Sequence, residues 1–182
     1  LVERVQGRGT FVGRPKVAHN LASMLTVEPW GPAADLQIVD IRVVPASIAV
    51  AARLGLTAGE PVIELKRTVD VDDEPIVLLT CWLPEQRFPD FEPRLVPPRT
   101  VRGVLREDYG VEAIRQHKEV EVTILAPDEA AILQANPGAP ALLVTYLSRS
   151  QADGAPVEYR RMLVRGDRCK YYVEMDAPEL LV

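Results

Sequence analysis

The stretch PVIELKRTVDVDDEPIVLLTCWLP, from Pro61 to Pro84, decides the fold. Two runs rich in β-formers, Val62 to Val71 and Glu74 to Leu83, are joined around Asp72-Asp73 and form the arms of a hairpin. In the first arm the two-residue period of a strand puts Ile63, Leu65, Arg67 and Val69 on one face. A guanidinium therefore shares the apolar side of the strand, and a charge placed there needs a partner.

The flanking sequence continues the pattern. Leu36 to Val44 alternates as a strand does, and Ala46 to Leu54 has helical spacing stopped by Gly55. A loop heavy in proline (Pro84, Pro89, Pro93, Pro97, Pro98) leads to a helix over Thr100 to Tyr109, with Thr100 as N-cap and Gly110 as the stop. Lys118 to Leu125 alternates strictly, and Pro127 to Ala135 forms a short helix ended by Asn136-Pro137-Gly138. Ala141 to Gln151 and Pro156 to Arg165 flank a turn at Ala152-Asp153-Gly154, and Lys170 to Met175 supplies a last strand. Strands joined mostly by hairpins, with a few helices inserted, predict an α+β fold: an antiparallel β-sheet with helices packed on it.

The N-terminal VERVQGRGTFVGRPK, Val2 to Lys16, has a different character. Gly7, Gly9 and Gly13 read G-x-G-x-x-x-G, which misses the dinucleotide spacing; no Lys-Ser or Lys-Thr pair comes after it, and Pro15 blocks a phosphate-capping helix. A hairpin fits better, with Leu1 to Val5 and Thr10 to Val12 as arms around Gln6-Gly7-Arg8-Gly9. Residues 1–16 hold Arg4, Arg8, Arg14 and Lys16 against Glu3, a balance of +3 in a chain of net charge -5. A short cationic ribbon on an acidic body points to a phosphate-contacting element joined to a part with another task, or to a solvated basic tail. Residues 17–34 read as a linker holding one short helix over Ala18 to Leu25, and the globular body occupies residues 35–182.

Composition excludes several classes. With 47% hydrophobic and 26% charged residues the 182-residue chain is neither disordered nor a membrane span, and the absence of a signal peptide pattern favours the cytoplasm. Cys81 and Cys169 lack metal or redox spacing and read as reduced core residues; His19 and His117 lie far apart, so neither a metal site nor a cofactor is expected.

Arg67 is the foremost candidate for binding: its structural alternative is an internal salt bridge or an arginine snorkelling to water near the strand end, and its functional reading is a fork that grips a carboxylate or phosphate. Glu158 shares a face with Met162 and Val164, and either accepts hydrogen bonds from a ligand or pairs with Arg67 or Arg160. Thr100 and Arg102 open a helix whose free N–H groups favour an anion, although capping alone accounts for Thr100. Arg165-Gly166-Asp167-Arg168 reads as a structural ion-pair turn, and His117 has no evident partner.

Several of these segments resemble a known family. Val5-Gln6-Gly7-Arg8-Gly9-Thr10-Phe11-Val12 resembles the wing hairpin of GntR-type transcription regulators, and the body from Asp35 onward is similar to the effector-binding UTRA domain of their HutC subfamily. The motifs are Ala52-Arg53-Leu54-Gly55-Leu56, Gly59-Glu60-Pro61-Val62, Glu74-Pro75-Ile76 and Leu83-Pro84. Further along come Tyr109-Gly110-Val111, Gly138-Ala139-Pro140-Ala141-Leu142, Gly154-Ala155-Pro156-Val157-Glu158-Tyr159 and the 165–168 turn. The resemblance implies a chorismate lyase-like fold and a cytoplasmic homodimeric repressor that is not an enzyme. A small, anionic effector would bind at Arg67, Glu158, Thr100 and Arg102 and alter operator DNA binding in the full-length protein. It also implies that Arg4, Arg8 and Thr10 of a wing remnant contact DNA, with the recognition helix outside this sequence. Some sugar-phosphate-responsive relatives carry a second Arg two positions beyond the match to Arg67 and an acid at the match to Leu79; Val69 and Leu79 stand there instead, which leaves room for a less polar or singly charged acid. The competing reading is a chorismate lyase-like enzyme in which an Arg-Glu pair clamps a carboxylate and donates a proton. A third is a plain dimerisation module, favoured if Arg67 and Glu158 pair with each other.

Overall fold

The structure, a computed structural model, describes residues 2–5, 9–12, 16–20, 34–97 and 99–173. Its centre is a six-stranded sheet built from β4 (Ala34–Pro45), β5 (Pro61–Val71), β6 (Glu74–Pro84), β7 (Ala113–Ile124), β8 (Pro140–Ser150) and β9 (Pro156–Arg165). The strand order is β4-β5-β6-β9-β8-β7, with every neighbouring pair antiparallel. Two hairpins, β5–β6 and β8–β9, meet along β6 and β9. Asp72 and Asp73 close the first hairpin at φ 53 and 60, the left-handed backbone of a two-residue turn whose twist matches that of the strands.

Both faces of the sheet are covered. One carries α1 (Ile48–Leu54), whose Val50, Ala51 and Leu54 pack on Val62 and Trp82, and α3 (Pro127–Ile132), whose Ala130 packs with Leu133 on Leu78 and Leu163. Ser47 caps α1, its Oγ accepting from the Val50 N–H at 3.3 Å, and Gly55 ends it at φ 69. The other face carries the Arg67 row. At one end it is covered by the proline-rich segment and α2 (Val101–Tyr109), where Phe88, Phe91, Leu95, Val104 and Leu105 bury Ile63, Leu65 and Leu83. At the other end a small parallel ribbon, β3 (Val17–Asn20) on β10 (Cys169–Tyr172), lays Val17, Cys169 and Tyr171 against Val69, Leu79 and Met162.

That ribbon corrects two expectations. Residues 18–20 of the expected helix are strand, and 21–25 lie outside the described residues. The last strand is not part of the main sheet: among the described residues it pairs with β3 alone. Both departures come from tertiary pairing, which overrides the weak local preference of a four-residue segment. The N-terminal arms pair as β1 (Val2–Val5) on β2 (Gly9–Val12), with Arg4 opposite Thr10; Gly9, expected in the turn, belongs to the second strand, and Gln6, Gly7 and Arg8 lie outside the described residues.

The hairpin turn supplies a test. A non-glycine residue at positive φ carries a steric cost that glycine lacks, so Asp73→Gly is expected to stabilise the chain by roughly 0.5–1 kcal/mol in urea denaturation, with an unchanged m-value.

Candidate effector site

Arg67 stands near the middle of β5, and its cross-strand neighbours are Ile38 on one side and Leu79 on the other. Leu65 and Val69 precede and follow it on the same face. The residue is only 3% exposed. Its Nε is buried without a hydrogen-bond acceptor, while its charge acts on Glu158, Cys81 and Tyr146. The residue also lines a cavity of about 260 Å3 whose other walls are Asp35, Leu36, Ile38, Leu95, Pro97 and Arg99.

Glu158 is equally buried but fully engaged. Its Oε1 accepts from Arg160 Nε at 2.8 Å and from Arg160 NH2 at 2.5 Å, and its Oε2 accepts from Ser148 Oγ at 3.3 Å. Burial raises the carboxyl above its ordinary range, opposed by the positive charges of Arg115 and Arg67. Burial likewise lowers the Arg160 guanidinium to about 9. Of the two partners the alternation of β9 offered for Glu158, Arg160, two residues along the same face, makes the hydrogen bonds, while Arg67 acts on the carboxylate through its charge. Arg160, Arg115 and Lys118 all approach the buried Tyr146 ring, at 5.1, 4.8 and 5.4 Å from its centroid.

Thr100 and Arg102 sit elsewhere. The Thr100 hydroxyl accepts from the Gly103 N–H at 3.0 Å and so caps α2, while the exposed Arg102 pairs with Glu112 at 2.5 Å. Neither lines the Arg67 cavity; Arg99 does. Its four NH donors hold the Arg94 carbonyl, both oxygens of Asp108 and one of Glu107. The 165–168 turn is an ion-pair cluster: Arg165 bonds Asp167 at 2.7 Å, and Glu74 bridges Arg165 and Arg168 at 2.9 Å each. His117 meets only an exposed Glu119, at 3.2 Å.

Arg115 escaped the sequence reading for one reason. A bulge between Arg115 and His117 breaks the two-residue period, which hides the first third of β7. Arg99 carried no signal in a loop without periodicity.

A family model, the UTRA domain, matches residues 31–170. The chain belongs to the UTRA domain family. PhnF of Mycolicibacterium smegmatis, an HTH-type transcriptional repressor, is 31% identical over 179 residues, covering 97% of this chain and 72% of its own length. NagR of Bacillus subtilis, another HTH-type transcriptional repressor, is 26% identical over 196 residues, covering 97% of this chain and 73% of its own. The crystal structure of PhnF from Mycobacterium smegmatis superposes with a TM-score of 0.72 at 30% identity, over 97% of this chain and 78% of that one. The C-terminal domain of Yurk from Bacillus subtilis shares the fold, with a TM-score of 0.71 at 20% identity, over 76% of this UTRA chain and 95% of that chain.

Among the described residues this UTRA domain has no group of three or more His, Cys, Asp or Glu placed to hold a metal, and no helix long and apolar enough to cross a membrane. Its electrostatics can be tested at Lys118. Burial, and then the Arg115 charge, lowers the amine from 10.5 to about 8. A depressed amine adds to stability fully above the unfolded value and loses that contribution as pH falls through the folded one. Urea midpoints should therefore rise between about pH 8 and 10.5, and Lys118→Met should remove that part of the slope.

Proposed function

We propose that this chain is the effector-sensing part of a HutC-type transcription regulator of the GntR class. A small anionic metabolite enters the cavity beside Arg67, and its binding shifts operator affinity by changing the geometry of a homodimer. One observation carries the reading: a UTRA domain holds a guanidinium only 3% exposed, its Nε without a hydrogen-bond acceptor, in the wall of a cavity of about 260 Å3. Transcription repressors among its relatives support the same class of activity. Within the chain, residues 1–16 are the wing remnant, 17–34 a linker and 35–182 the sensor. Arg4, Arg8 and Thr10 contact DNA phosphates, while base reading belongs to a recognition helix in the full-length protein.

Of the four residues singled out for the effector, Arg67 makes the contact and Glu158 fixes Arg160 beside it. Thr100 and Arg102 shape the end of α2. The protein works in the cytoplasm and does not catalyse a reaction: both oxygens of Glu158, the proton donor an enzyme reading requires, already have protein partners.

Coupling needs the ligand to favour one arrangement of sensor and head. The ribbon β3 supplies a route, because Val17 packs in the cluster that contains Val69, two residues from Arg67. The Val17 N–H donates to the Arg168 carbonyl at 2.8 Å, and Lys16 Nζ donates to the Gly166 carbonyl at 2.6 Å, which ties the start of the linker to the sensor.

Fluorescence anisotropy of full-length protein on operator DNA, titrated with a panel of anionic metabolites, tests the proposal. At least one anion is expected to change operator affinity, and Val17→Asp should keep binding of that anion within about twofold while abolishing its effect on DNA. A panel without effect on operator binding contradicts it.

A further inference from the structure

β7 stands at an edge of the main sheet: β8 pairs with it on one side, and among the described residues no strand pairs with the other. From His117 to Ile124 its register on β8 is unbroken. Val120, Val122 and Ile124 share one face, beside Val144, Leu142 and Pro140, and are 44, 81 and 66% exposed. Val144 and Leu142 belong to the cluster that holds Val69 and Val17, so this apolar row runs from the sensor core to the rim of the sheet and ends in side chains open to water. The backbone is open as well. The Leu125 N–H donates inward to the Ala139 carbonyl at 3.0 Å. Alternate residues of an antiparallel ladder turn their polar groups the same way, so Thr123 and Glu121 also face β8, while Val120, Val122 and Ile124 turn their N–H and C=O outward. Bulges commonly blunt such edges. β4, at the opposite edge, has one in mid-strand between Ile38 and Asp40; that of β7 lies near its start, between Arg115 and His117, and leaves the rest regular.

We infer that this edge pairs with β7 of a second copy of the chain, antiparallel about a two-fold axis through Val122; the inference rests on the homodimer proposed above and gives it a surface. The axis sets Val120 against Ile124 of the second copy and Val122 against its own counterpart, and on the other face Glu121 meets Thr123. The outward backbone groups belong to these apolar pairs, and each pair exchanges two hydrogen bonds. Charge fixes the register, because like charges directly opposite are destabilising. An axis at Glu121, Glu119 or Lys118 sets that residue against itself, and one at Val120 sets Glu119 against Glu121. An axis at Thr123 leaves Val120 without an apolar counterpart. The clusters that hold Val17 and Val69 in the two copies then border one continuous sheet, which places the start of each linker on a structure shared with the partner.

Sedimentation equilibrium of the 182-residue chain over roughly 1–100 μM tests this. The wild type is expected to dimerise in that range. Val122→Lys, which sets two ammonium groups face to face on the axis, should raise the dissociation constant about tenfold or more, while Val39→Lys on β4 should leave it within about twofold. Both side chains are exposed in the single chain, and circular dichroism melts establish that the variants are folded. Mild oxidation reads the register, since Cys81 and Cys169 are buried. Val122→Cys should give a disulfide-linked dimer, its Cα atoms about 5.5 Å apart across the axis; Val120→Cys, roughly 13 Å from its counterpart, should not, and Val120→Cys with Ile124→Cys should. Linkage through Val120→Cys alone overturns the register. A dimer that withstands Val122→Lys, or that Val39→Lys breaks instead, overturns the surface and leaves the homodimer and its sensing function standing. A wild-type chain that is monomeric throughout overturns both this surface and the dimer geometry proposed above.

Discussion

Water has been stripped from the Nε of Arg67 without a hydrogen-bond acceptor taking its place, although the charge of the guanidinium acts on Glu158. The residue is 3% exposed, its Nε is orphaned, and its four nearest sheet neighbours are apolar. Removing an ionised group from water without a partner is among the more costly arrangements in a folded protein. A sheet of this size can bear it because the rest of its core is well filled: Phe88, Phe91, Leu83, Leu105 and Val62 are each buried to 2% or less. The cost sits at one cavity wall, where a bound anion would relieve it. Ligand binding and the relief of a strained ground state are then one event.

The contrast with Glu158 shows how the same face divides its polar groups. Glu158 is buried as deeply, yet Arg160 and Ser148 occupy both its oxygens. That pair is structural in the plain sense that each member leaves a buried charge uncompensated if the other is lost. Arg99 and the Arg165–Glu74–Arg168 cluster obey the same rule, each guanidinium facing at least one carboxylate. Arg67 keeps it only in part: its charge acts on Glu158 but its buried Nε has no acceptor, and departures of this kind mark functional sites more often than errors of packing.

Much of this was legible in the residues. The alternation of 62–71 and 74–83 alone places Arg67 on the apolar face, because the period of a strand is fixed at two and a charged residue in phase with Ile63, Leu65 and Val69 has nowhere else to point. The same rule put Glu158 and Arg160 together. It failed where the backbone leaves the period: the bulge in β7 concealed Arg115, and the loop that carries Arg99 has no period at all. At Thr100 and Arg102 the local reading of a helix start was right about the cap, but the direction in which the helix presents its first turn is set by packing of Val101, Val104 and Leu105, which sequence alone leaves open. The ribbon β3–β10 was invisible for a related reason, since its strands lie about 150 residues apart and no local pattern links them.

Val17 and Val69 share one cluster, so the strand that leads out of the sensor rests on the row that holds Arg67. The most direct measurement of the central claim is the equilibrium stability of ligand-free wild-type and Arg67→Met chains, by urea denaturation at neutral pH. A guanidinium buried to await an external acid predicts that methionine stabilises the empty domain, by roughly 1–3 kcal/mol. A loss of roughly 3 kcal/mol or more would instead show that Arg67 already has its partner within the fold, and would contradict the account.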